Sequence, residues 1–182
     1  LNTALYAEGS LTLRATAVDD EGNATTADLT VTLDNVDGGV VSGVVFKGPV
    51  NGATVEVYRY PNGVKGALLG SGTTTSDGTF INVALTDGYA GPLLVEAGGG
   101  GSYGEEAAPA TTVTLDVTDK LRTVIASYTD GDTLSSAVVT PLTSFAVTYY
   151  EYLRTQVSGT FDTVWGTAHG AIEAHFAVPD IL

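Results

Sequence analysis

The hydrophobic and polar positions of this chain change period as it runs. Near the start, Leu11, Leu13, Ala15 and Ala17 alternate with Thr12, Arg14 and Thr16. A period of two places the apolar set on one face of a half-buried strand. Leu29, Val31 and Leu33 alternate with Thr30 and Thr32 in the same way. Asp19-Asp20-Glu21-Gly22-Asn23 lies between them and is rich in turn formers. The pattern predicts a β-hairpin. Two strands alone are marginal in water. The hairpin is therefore expected either to lack the rest of its domain or to dock on the next domain or on another subunit.

From residue 38 to about 128 the apolar runs are short and closely spaced. Strands are expected over 40–46, around Ala53, Val55 and Val57, over 68–75, 80–85 and 93–97, around Val113, Leu115 and Val117, and over 121–127. Gly, Asp and Pro punctuate them, including Ser76-Asp77-Gly78, which argues for an antiparallel sandwich. The period then lengthens. Val138, Leu142, Phe145, Tyr149 and Leu153 recur at three and four, with Thr140 as cap and Pro141 as first helical residue. Ser158-Gly159 interrupts the pattern. Phe161, Val164, Ala168, Ile172 and Phe176 form a second stripe, stopped by Pro179. The expected fold is mainly β: a small antiparallel β-sandwich with an N-terminal β-hairpin and a C-terminal pair of short α-helices. Its expected parts are residues 1–37, 38–133 and 134–182.

Three parts of the chain resemble known proteins. Residues 9–17, Asp20-Glu21-Gly22-Asn23 and residues 29–35 resemble the closing strands of bacterial Ig-like domains. That resemblance implies a sandwich repeat module and carries no catalytic residue. Val41-Ser42-Gly43-Val44-Val45, residues 49–57, residues 74–80 and Leu93-Leu94-Val95-Glu96-Ala97 are similar to the carboxypeptidase regulatory-like fold, a transthyretin-type sandwich. It implies an accessory scaffold in which Asp77-Gly78 makes a tight turn and Ala53 faces the core. Residues 139–143 and 176–182 resemble segments of long, repetitive bacterial surface lipoproteins.

Charge narrows the partners. The 182 residues carry 21 acidic and 7 basic side chains, a net charge of −14. Such a surface repels nucleic acid and anionic lipid. No apolar run approaches the roughly 20 residues of a membrane-spanning helix. Cysteine is absent, so thiol chemistry and disulfides are excluded. With 23 glycines and few lysines, the composition points to an extracellular or cell-surface bacterial module. Leu1 reads as the middle of a module, so an export signal is expected elsewhere in a longer protein.

Hard cations take oxygen ligands, which makes calcium the cofactor candidate. Asp34, Asn35 and Asp37, at the joint of the two β modules, are its expected ligands. Asp130 with Asp132, and Asp19-Asp20-Glu21, are secondary candidates, and ordinary polar turns are the plainer account of all three. Gly99-Gly100-Gly101-Ser102-Tyr103-Gly104 has nucleotide-loop spacing. Glu105, Glu106 and an expected strand follow it, where a phosphate site needs a helix N-terminus. His169 and His175 are six apart, so one helix does not bring them together as metal ligands. Trp165, Tyr149, Tyr150 and Tyr152 could offer a stacking platform, but core packing is the plainer account, with Tyr149 expected inside and Tyr150 or Tyr152 at the surface. A crosslink from Lys47, Lys65 or Lys120 has no geometry to recommend it. The expected function is a non-enzymatic structural or adhesive module. Its expected partners are neighbouring domains or other subunits, in a homo-oligomer or in a fibre built by strand addition. The alternative is a carbohydrate- or peptide-binding module.

Overall fold

The computed structural model describes residues 9–33, 38–86, 88–105 and 107–182. The chain divides into two compact units, Leu1–Asp37 and Gly38–Leu182. In the first unit, β1 (Gly9–Val18) pairs antiparallel with β2 (Ala24–Leu33) over their whole length. Asp19 builds the turn, accepting bonds from the Glu21 and Asn23 amides and from Asn23 Nδ2. Arg14 and Asp28 are register partners joined by two bonds of 2.7 and 2.8 Å. A one-residue slip would separate them and turn the leucines to the other face.

The second unit has three layers. An outer sheet has the order β11 (Thr133–Val139), β3 (Val40–Val45), β6 (Thr79–Ala84). A central sheet has the order β10 (Lys120–Ile125), β7 (Leu93–Gly98), β4 (Thr54–Arg59), β5 (Leu68–Thr73). Helices α1 (Pro141–Leu153) and α2 (Phe161–Phe176) form the third layer. A small hairpin, β8 (Ser102–Glu105) with β9 (Ala108–Thr114), extends the sandwich. The main core lies between the sheets, with Val41, Val45, Val55, Val57, Phe80, Val95 and Val139 buried. A second core lies between the central sheet and the helices, built on Tyr60, Leu94, Val124, Val147, Tyr150 and Trp165. Every residue of β7 is buried, because it has a layer on each side.

The mainly β fold, the N-terminal hairpin and the two C-terminal helices match the expectation. Pairing is antiparallel except for β3 and β11, which run parallel. Glycine permits that approach, since a Cβ on Gly43 would overlap the Ala137 carbonyl. The boundary expected at residue 133 moves, because residues 133–139 are a sheet strand and Val138 belongs to it rather than to a helix. Ala53 is buried and Gly78 turns with φ 81°. Thr140 caps α1 and Pro141 opens it. The buried residues of α1 are Thr143, Ala146, Val147 and Tyr150. Of the expected stripe, Leu142, Tyr149 and Leu153 pack partly buried against the second core, while Phe145 is exposed.

Helix α1 also closes the edge of the central sheet. The Arg122 amide of β10 donates to Ser144 Oγ at 2.8 Å, and the Thr143 hydroxyl donates to the Arg122 carbonyl at 2.8 Å. Two side chains of the first helical turn thereby take the place of a neighbouring strand. Among the described residues no helix is long and apolar enough to cross a membrane.

Candidate functional site

Carboxylates are numerous, and the described ones are largely occupied locally. Asp34, Asn35 and Asp37 lie outside the described residues. Asp130 accepts from the Gly88 amide at 2.5 Å and from the Tyr128 hydroxyl at 3.3 Å. Asp132 accepts from the Thr129 amide at 2.8 Å. Asp19 is held by its own turn, and these bonds keep its carboxyl below the ordinary range, the Asn23 side chain first among them. Among the described residues no group of three or more His, Asp or Glu side chains is placed to hold a metal ion.

The histidines stand apart. His169 is half-buried on α2, with Nδ1 3.4 Å from Glu173 Oε1 and its ring against Trp165. Glu173 Oε1 also accepts the Ile181 amide at 3.3 Å, so the pair ties the segment after α2 to the helix. His175 is exposed and meets only the edge of Phe176 among the aromatic rings. The glycine run turns through Gly99 and Gly100, at φ 52° and 92°, and continues into β8. It presents no helix N-terminus to a phosphate.

The aromatic residues divide into core and surface. Tyr150 and Trp165 are 2% and 3% exposed, and Tyr60 and Phe161 pack with them. Burial raises the Tyr60 phenol well above its ordinary range, with the nearby Glu151 carboxylate adding to the effect. Tyr150, weighed as a surface residue from the sequence, is therefore core. Tyr149 stacks on the exposed Tyr152 at 6.2 Å, and Phe145 stacks on Phe176 at 6.1 Å outside the core.

A row of charges crosses the helix-facing side of the central sheet. Glu56 and Glu96 are register partners on β4 and β7. Lys120 reaches Glu56 at 3.1 Å, Lys65 reaches Glu96 at 2.7 Å, and Arg122 reaches Glu151 at 2.8 Å. Each carboxylate has its own cation, which offsets the cost of setting two glutamates side by side. All three lysines weighed for crosslinking are thus placed. Lys65 and Lys120 serve this row, and Lys47 lies over the Tyr103 ring at 5.0 Å.

Three apolar surfaces are left. The first is the hairpin face carrying Leu11, Leu13, Ala15, Ala17, Ala27, Leu29 and Val31, which register pairing puts together. Leu29 is 61% exposed, Leu33 at the open end of the same face is buried, and among the described residues of the unit the hairpin has no second layer. The second is a groove of about 510 Å³, walled by Phe46, Tyr103, Val138, Leu142, Val178 and Ile181. Lys47, Glu105 and Asp180 also line it. The third is the outer face of the β11–β3–β6 sheet, where Val44, Val138 and Ile81 bound a depression of about 360 Å³.

The hairpin face is legible as alternation. The outer sheet face is not singled out by the sequence reading, although β3 carries a signal for it. Val40, Val41, Val44 and Val45 are apolar at both parities, and in a strand that pattern asks for cover on both faces. Comparison of the chain with models of protein families, with curated proteins and with solved structures returned no match.

Proposed function

We propose that this chain is a non-enzymatic structural or adhesive module of an exported, multidomain bacterial surface protein, and that its N-terminal hairpin joins it to neighbouring domains or subunits. One observation carries the reading. The hairpin is amphipathic, and among the described residues of its unit no further element packs on the apolar face around Leu13 and Leu29, which stay exposed. A two-stranded ribbon with an open apolar face gains from completing another sheet, and both outer strands offer backbone groups for pairing. The resemblance of β1 and β2 to closing strands of Ig-like domains supports the same role. So does the resemblance of the β3–β7 region to carboxypeptidase regulatory-like accessory domains. The acidic, cysteine-free composition supports an extracellular or cell-surface location. The separated histidines and locally bonded carboxylates support a non-catalytic role.

Sedimentation velocity over a concentration series, with and without excess calcium, tests the reading. Reversible association that disappears in Leu29→Asp is the expected result. Association that Leu29→Asp leaves intact would assign the contact to another surface. Calcium dependence would point to Asp34, Asn35 and Asp37. A second reading, a module binding an apolar peptide or a carbohydrate, is favoured by the groove beside Phe46 and Tyr103. Saturable binding in a peptide or glycan screen, lost in Leu142→Asp, would support it.

A further inference from the structure

The turn of the hairpin carries a motif that the roles described so far leave unused. Of the six asparagines in the chain, Asn23 alone is followed two residues later by a serine or threonine, in Asn23-Ala24-Thr25. That spacing is the acceptor pattern for an N-linked glycan, a modification of surface turns in exported chains. Bacterial enzymes that make this linkage also read a carboxylate two residues before the asparagine, and Glu21 stands there.

The structure puts the motif where an enzyme reaches it. Residues 19–25 are all exposed. Gly22 turns with φ 87° and Ala24 opens β2, so Asn23 stands at the junction of turn and strand. Asp19 fixes its position, with Oδ1 accepting the Asn23 amide at 2.8 Å and Oδ2 accepting Nδ2 at 2.9 Å. A carboxamide nitrogen has two hydrogens. One serves Asp19, and the turn has no need of the other. A sugar that replaces the second hydrogen leaves the Asp19 bond in place, so the turn holds its shape with or without the modification. Thr25 is exposed as well, and its hydroxyl is open to recognition.

We propose that Asn23 is the acceptor of an N-linked oligosaccharide. The donor class is an oligosaccharide carried on a lipid diphosphate. In the transfer, Nδ2 bonds to C1 of the first sugar and the C1–O bond to the diphosphate breaks. The lipid diphosphate leaves with that electron pair, and the displaced Nδ2 proton passes to a base of the transferase. The Nδ2 lone pair is delocalised into the amide carbonyl, so the reaction needs both the activated donor and the enzyme. The transfer takes place outside the cytoplasm, and the inference therefore rests on the reading of the chain as exported. Leu29 lies six residues beyond Asn23, about 20 Å along an extended strand, so a glycan at the tip leaves the apolar face around Leu13 and Leu29 uncovered.

The test is incubation of the purified full chain with a bacterial oligosaccharyltransferase and its lipid-diphosphate-linked oligosaccharide, followed by intact-mass measurement and peptide mapping. The parent should gain one glycan, on the peptide that contains Asn23. Asn23→Gln and Thr25→Val should abolish the gain. Thr25→Ser should retain it, because the hydroxyl is kept. A parent that stays unmodified while a control acceptor peptide is glycosylated alongside it would overturn the proposal. A gain that persists in Asn23→Gln would place the acceptor elsewhere and overturn it too. No export step enters this assay, so its failure would count against the site alone, and the sedimentation series tests the module reading separately.

Discussion

Thr143 is the residue through which α1 is fastened to the central sheet, and replacing it with valine isolates one hydroxyl. The residue is fully buried. Its Oγ accepts the Thr140 amide at 2.8 Å and donates to the Arg122 carbonyl at 2.8 Å. The Thr140 carbonyl, also within 2.9 Å, is already served by the Ser144 amide and the Ser144 hydroxyl. The single proton of Thr143 is therefore best spent on Arg122. Valine keeps the volume and removes both bonds, leaving an amide and a carbonyl facing a methyl group. Leaving a buried polar group without a partner costs about 1–3 kcal/mol. Thr140 and Arg122 are half-buried, so part of that cost is relieved by water, and the expected loss is about 2–3 kcal/mol. With a urea slope of about 2 kcal/mol per molar, the midpoint should fall by roughly 1 M. Trp165 is the single tryptophan and is buried in the helix layer, so its fluorescence reports on this unit alone. Thr143→Ser keeps the hydroxyl and should lose only about 1 kcal/mol for the methyl. If Thr143→Val unfolded within about 0.3 M of the parent at an unchanged slope, the hydroxyl would not be fastening the helix.

Gly43→Ala should destabilise the second unit by about 3 kcal/mol, because its Cβ meets the Ala137 carbonyl of the parallel partner strand. Thermal unfolding followed by Trp165 fluorescence would measure it. Tyr128→Phe should cost about 1–3 kcal/mol, because the Tyr128 hydroxyl is the acceptor, at 2.9 Å, of the buried Gly39 amide. An unchanged urea midpoint would count against that bond. Asp77 accepts from the Thr75 and Thr79 hydroxyls and from the Thr79 amide, which lower its pKa from 3.8 to about 2. Its folded value lies below its unfolded one, so the turn's contribution is present above about pH 4 and is lost as pH falls toward 2. A carboxyl carbon titration should place its midpoint near 2, and Asp77→Asn should flatten stability across that interval.

Where the sequence was readable, one period and one strong local signal coincided. The hairpin alternates over residues 11–17 and 29–33 with a turn of Asp, Gly and Asn between. The start of α1 was marked by Thr140 and Pro141. Leu142, Tyr149 and Leu153 of its stripe pack against the helix-side core, while the fully buried line beside them includes Thr143 and Ala146, which do not register as apolar bulk, and Phe145 finds Phe176 outside the core. β11 was absorbed into the helical stripe because Val138 and Val139 run directly into Pro141. β8 was hidden because Tyr103 is its one large apolar residue. The outer sheet face was illegible as a surface for a different reason. Apolar residues at both parities announce that a strand wants two layers, but sequence does not say which face the molecule leaves without one.

The parallel pairing of β3 with β11 has a kinetic consequence. Val40 and Thr133 meet across about ninety intervening positions, and β11 is the last strand of the sandwich to be made. At synthesis rates of about 5–20 residues per second, β3 waits roughly 5–20 s for its partner after it is made. During that interval one edge of the most valine-rich strand in the chain has no neighbour from its own fold. Contacts of such long sequence separation also slow folding in general.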